Sequence, residues 1–116
     1  MTGYVDETVL ERLRNDLGGD AATVRRFAWN FVNHWTARAE RLEQALAGPD
    51  AVEADVVLLS IRSSSCMLGA LPLEAESARM LGALSQCDLP GCRLSLATLT
   101  GIGEQTCIEL AALFPA

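Results

Sequence analysis

Residues 50–70 read DAVEADVVLLSIRSSSCMLGA. An α-helix turns about 100° per residue. On that period Ala54, Leu58, Ile61, Ser65 and Leu68 fall within about 40° of one direction. This is a core-facing stripe of mixed size, bounded by Asp50 before it and Gly69 after it. Ser65 is its small polar member, and its hydroxyl can bond back to the Ile61 carbonyl. Leu59 lies roughly 140° away, and Val52, Val56, Ser63, Cys66 and Met67 also point outward. A helix that is apolar all round is buried or meets something. Either another element, such as the first helix, covers this outer face, or the face contacts another protein.

Outward from this segment, helical periods dominate and β-type alternation is almost absent. Asp6 caps a first short helix, Glu7 to Leu17, which Gly18 and Gly19 stop. Asp20 caps a long second helix to about Ala47. Its stripe is Val24, Phe27, Ala28, Phe31, Trp35, Leu42, Ala45 and Leu46, and Gly48-Pro49 closes it. Arg38 falls on that stripe and must snorkel or pair. Trp29 lies about 160° from Phe31 and is expected to point out of the protein as a contact residue or a surface tryptophan. The third helix runs from about Asp50 to Met67 or Leu68, and the fourth from Pro72 to about Gln86. Cys87 to Cys92 reads as a loop. The fifth helix is expected from Leu94 or Ser95 to about Phe114, weakened by Gly101 and Gly103. Four long helices joined by short turns predict an all-α fold, an antiparallel up-down four-helix bundle with an additional short N-terminal helix, as one domain over residues 1–116.

Composition excludes several functions. The chain has 116 residues and a formal charge of −6, and all nine basic residues are arginine. A domain this acidic is unsuited to a phosphate backbone, so no nucleic-acid partner is expected. No apolar run reaches the ~18–20 residues of a membrane helix, and no signal segment is visible, so a cytoplasmic location is expected. The cysteines, Cys66, Cys87, Cys92 and Cys107, form no CxxC pair. Free thiols are expected, with a Cys87–Cys92 bridge or a metal site as the alternatives. Acidic pairs such as Glu74 with Glu76 lack the spacing of a metal cage. The serines of the third helix have no base at hand for nucleophilic chemistry. No enzyme activity, metal or cofactor is expected.

The motifs Leu17-Gly-Gly-Asp20, Gly48-Pro-Asp50 and Leu58-Leu-Ser-Ile-Arg-Ser-Ser-Ser-Cys-Met-Leu-Gly-Ala70 together resemble a histidine-containing phosphotransfer (HPt) domain. That family reads LGGD, then GD, then AHxLKGSSxxLGAxxLxxxCxxLE. Ile61 stands at the motif leucine, Arg62 at the lysine, and Ser64 and Ser65 at the serines. Leu68-Gly69-Ala70 matches LGA, while Leu73, Ser77 and Met80 take the L, C and L positions that follow. The resemblance covers roughly Val5 to Leu84, and the final motif Glu becomes Leu81. It implies a helical bundle, a phosphorelay setting, and a receiver domain or histidine kinase as partner.

The departures decide what the resemblance implies for chemistry. The family's phosphoryl group rides on the motif histidine, and that position here is Leu59, which has no nucleophilic nitrogen. Ser63 replaces the motif glycine. Arg62 keeps the basic charge and can grip an anion or a carboxylate. The one histidine, His34, lies on the second helix, about 60° from Phe31, at the border of the core stripe. It is a locally bonded residue, a contact residue, or a substitute phosphoacceptor. The expected function is therefore a degenerate HPt module that binds partners without carrying phosphate. Its contact residues are Trp29, Val56, Leu59, Arg62, Ser63, Cys66 and Met67. The alternatives are phosphotransfer through His34 and a homodimer built on the third-helix face.

Overall fold

The computed structural model describes residues 3–115, and all its regular structure is helical. The helices are α1 (Glu7–Asp16), α2 (Ala21–Ala47), α3 (Ala51–Leu68), α4 (Leu71–Ser85) and α5 (Leu89–Leu113). Helices α2 and α4 each pack against both α3 and α5, so four helices close around one core, and α1 lies across α2 and α3. The long dimension is 42 Å against 24 and 23 Å across. No helix is long and apolar enough to cross a membrane.

Four of the five helix starts follow from a side-chain cap that satisfies orphan amides. The side chains of Asp6, Asp20, Asp50 and Asp88 accept from the amides of Thr8, Thr23, Glu53 and Gly91. Helix α4 has no side-chain cap and starts instead with proline in its first turn. Ends are met from a distance. Arg93 donates Nε to the Leu46 carbonyl at 2.9 Å, which serves the last turn of α2.

Helix α3 ends at Gly69, whose φ of 74° is left-handed. A Cβ there would stand 2.6 Å from the Asp6 carbonyl oxygen and 2.9 Å from Val9 Cβ. The Asp6 amide donates to the Gly69 carbonyl at 2.8 Å. One glycine thus both stops α3 and seats α1 against its end.

The core-facing stripe of α3 is as expected: Ala54, Leu58, Ile61, Ser65 and Leu68 are all buried. Ser65 donates to the Ile61 carbonyl at 2.6 Å. Val57, about 60° to the side of the stripe, is buried too, which widens the core face.

Three expectations are corrected. Helix α5 begins at Leu89, not Leu94, because Asp88 caps it and Pro90 occupies a first-turn position that needs no amide. The cysteines are free, as expected, and buried Cys92 directs its thiol at the Met80 carbonyl. Gly103 is a packing device rather than only a weak helix former. A Cβ there would fall inside the Trp35 ring, 1.8 Å from Cζ2. Trp29 does not stand free in solvent: it is half-buried and donates Nε1 to the Phe114 carbonyl at 2.8 Å. Together with Arg25, one turn earlier and bonded to the Pro115 carbonyl, it ties the end of α5 to α2.

Candidate functional site

The outer face of α3 is apolar and open. Val52 is 77% exposed, Val56 51%, Leu59 46% and Met67 44%. Ser63 and Cys66 share the face and are exposed. Helix α1 does not cover it, because α1 meets α3 at the Gly69 end, where Val9 lies against the glycine.

The two flanks of the face differ. On the α2 side, Arg41 pairs with Glu53 at 2.9 Å, and Arg38 reaches Ser64 Oγ at 3.4 Å. Between these helices lies a groove of about 110 Å³ lined by Phe27, Asn30, Phe31, Arg38, Ser64, Met67 and Leu68. Burial lowers the Arg38 pKa, and the charge of Arg41 lowers it further. On the α4 side stand Asp55, Arg62 and Cys66. Asp55 and Arg62 are exposed, and among the described residues neither has an ion-pair partner. The carboxylate of Glu74 accepts from the Cys66 thiol and repels its thiolate, which raises that pKa; Arg62 pulls it the other way.

The residues expected at the site therefore separate. Val56, Leu59, Arg62, Ser63, Cys66 and Met67 share the exposed side of α3. Trp29 does not join the site as a free contact residue, since its indole N–H is bonded to the chain end.

His34 is exposed rather than set in the core border. Its Nδ1 lies 2.7 Å from the Asn30 carbonyl oxygen. A carbonyl can only accept, so Nδ1 donates this bond, while Nε2 makes no hydrogen bond among the described residues. Sequence spacing placed the ring beside the core; the bond to Asn30 draws it back along the helix surface.

Among the described residues no three histidine, cysteine or carboxylate side chains gather as a metal site. The chain matches no known protein-family model, no curated protein and no solved structure.

Proposed function

We propose that this chain is an HPt-like protein of a two-component phosphorelay that carries no phosphate at the family position. It acts as an interaction or regulatory module toward a receiver domain or a histidine kinase, and not as an enzyme. The proposed architecture is the antiparallel up-down four-helix bundle with a short N-terminal helix, and a cytoplasmic setting goes with it.

The observation that carries the reading is the exposure of Leu59, at the motif histidine position and amid an open apolar face. The family pattern, with its phosphoacceptor nitrogen lost and its partner-facing surface kept apolar, suits binding without group transfer. Arg62 beside it offers a charged contact to an acidic partner surface.

The test is a titration of the isotope-labelled chain with purified receiver domains, followed by NMR. Shifts centred on Leu59, Arg62 and Ser63 are expected; a full set of cognate receivers that moves none of them would sink the reading.

One observation favours a second reading, phosphotransfer through His34: its ring is exposed, and Nε2 makes no hydrogen bond among the described residues. Incubation with a radiolabelled phospho-receiver decides it. Label that persists in the His34→Ala protein, or no label at all, removes this alternative.

A further inference from the structure

The exposed positions on α3 have a second property. Val52, Val56, Leu59, Ser63 and Cys66 recur at alternating steps of four and three. That is the spacing of the a and d positions of a two-helix seam. The seam is set among the exposed residues of α3, opposite the buried stripe Ala54, Leu58, Ile61, Ser65 and Leu68. The helix thus has one stripe for its own core and a second stripe with no partner among the described residues.

The charges beside the seam say what fits it. Asp55 and Arg62 are seven residues apart, so both stand on the same flank, about 10 Å from each other along the axis. When two identical helices pack face to face and antiparallel, the two-fold axis lies between them, across their length. Such an axis sets each flank against the same flank of the other copy. A flank carrying one negative and one positive charge, evenly placed about a centre, is then complementary to itself.

We infer that the outer face of α3 is the interface of a homodimer, with two copies of the helix antiparallel about a two-fold axis level with residues 58 and 59. In this register Asp55 meets Arg62 of the second copy, and Arg62 meets its Asp55. Leu59 sits between Leu59 and Val56 of the other copy at the centre. Val52 falls opposite Ser63 and Cys66. A parallel pairing would instead run the axis along the helices and set this flank against the opposite flank of the second copy, bringing Asp55 toward Glu53 and leaving Arg62 beside Ser60 and Ser64 with no carboxylate to meet.

The opposite flank raises no objection to the antiparallel choice, since Glu53 already has Arg41 as its counter-ion. One helix pair buries less than the roughly 1,200–2,000 Å² of an ordinary stable interface. The dimer is accordingly expected to be weak and reversible. The same face is proposed above for a receiver or kinase, so self-association and partner docking exclude each other.

The experiment is sedimentation equilibrium of the full chain over micromolar to millimolar concentrations, with four exposed-site variants. A reversible dimer is expected. Leu59→Asp makes it monomeric. Asp55→Arg alone and Arg62→Asp alone each weaken association by about tenfold, because each sets like charges together. The doubly reversed protein, Asp55→Arg with Arg62→Asp, regains the unaltered affinity. Dilution of the unaltered chain, followed by NMR, must also shift Val52, Val56 and Leu59, a readout that needs no variant.

A monomer throughout, a dimer indifferent to Leu59→Asp, or a double reversal that stays weak each overturns the proposal. The outcomes separate from those of the receiver titration. A monomer that binds a receiver rejects only the dimer, and a dimer silent to every receiver rejects only the docking function.

Discussion

Leu58 and Leu59 are neighbours of one residue type on one helix, and they live in different surroundings. Leu58 is fully buried, whereas Leu59 is 46% exposed. The difference is a single 100° step around α3. Burying a leucine side chain contributes about 1.5–3 kcal/mol, so the inner leucine works for the fold. The outer one leaves much of that free energy unrealised in the isolated chain. The same contrast runs the length of the helix, with Ala54, Ile61 and Leu68 inside and Val52, Val56 and Met67 outside. The inner face holds the molecule together, and the outer face is available for a partner.

The sharpest way to break this comparison is to truncate both leucines. Leu58→Ala is expected to cost about 2–5 kcal/mol of unfolding free energy, through lost burial and a cavity. Leu59→Ala is expected to cost under about 1 kcal/mol. Urea titration of dilute protein measures both. Equal costs would mean that the outer face is covered within the chain after all.

The end of the helix gives the next largest effect. Gly69→Ala must hold a left-handed φ and push its methyl against the Asp6 carbonyl and Val9. A loss of about 1–3 kcal/mol is expected, with α1 loosened first. Hydrogen exchange of the α1 amides reports that loosening. A change of one heavy atom on the outer face, Ser63→Ala, is expected to stay within about 0.5 kcal/mol.

The two serines narrow the comparison further. Ser65 is buried and donates to the Ile61 carbonyl, while Ser63 is exposed. Ser65→Ala removes one buried hydrogen bond and should cost about 0.5–1.5 kcal/mol, still more than Ser63→Ala. A reversed order in thermal or urea unfolding would show that the polar inner position is strained rather than stabilising.

Much of this contrast is legible in the sequence, because it rests on a period and on caps. Asp6, Asp20 and Asp50 mark helix starts by chemistry local to a few residues, and Gly69 marks an end in the same way. The outward position of Leu59 follows from arithmetic on one turn. What escapes is what depends on distant partners. The sequence near Cys87–Cys92 reads as a loop because proline and glycine dominate it, although Asp88 and a first-turn proline are also a helix start. Gly103 reads as a weak helix residue, since nothing local tells that Trp35 of α2 lies over it. Trp29 reads as free because its acceptor, the Phe114 carbonyl, is 85 residues away. The widening of the inner stripe to Val57 likewise needs the neighbouring helices in place. The candidate site was legible as a face of α3, whereas the unpaired state of Asp55 and Arg62 was not, because it depends on which charges α2 and α4 bring near.

The smallest effect reads the chemistry of the outer face directly. Cys66 is exposed there, yet its thiol pKa is raised, first by hydrogen bonding to Glu74 and then by repulsion from that carboxylate. The thiolate is the reactive species, so near pH 8, below the thiol pKa, the labelling rate follows the thiolate fraction. Removing the Glu74 charge lowers the pKa, enlarges that fraction and speeds the reaction. Glu74→Gln is therefore expected to accelerate labelling of Cys66 a few-fold. Arg62→Gln removes the charge that lowers the pKa and is expected to slow it. Cys107 supplies the internal reference, since burial pushes its thiol up to about 11. It should react slowly in every variant and gain reactivity only as pH rises toward that value. Mass spectrometry of briefly alkylated, dilute protein distinguishes the two sites. Opposite responses to Glu74→Gln and Arg62→Gln place Cys66 in the open, charged flank of α3; an unchanged rate in both would mean that the thiol is shielded from these groups and that the flank is not the surface described.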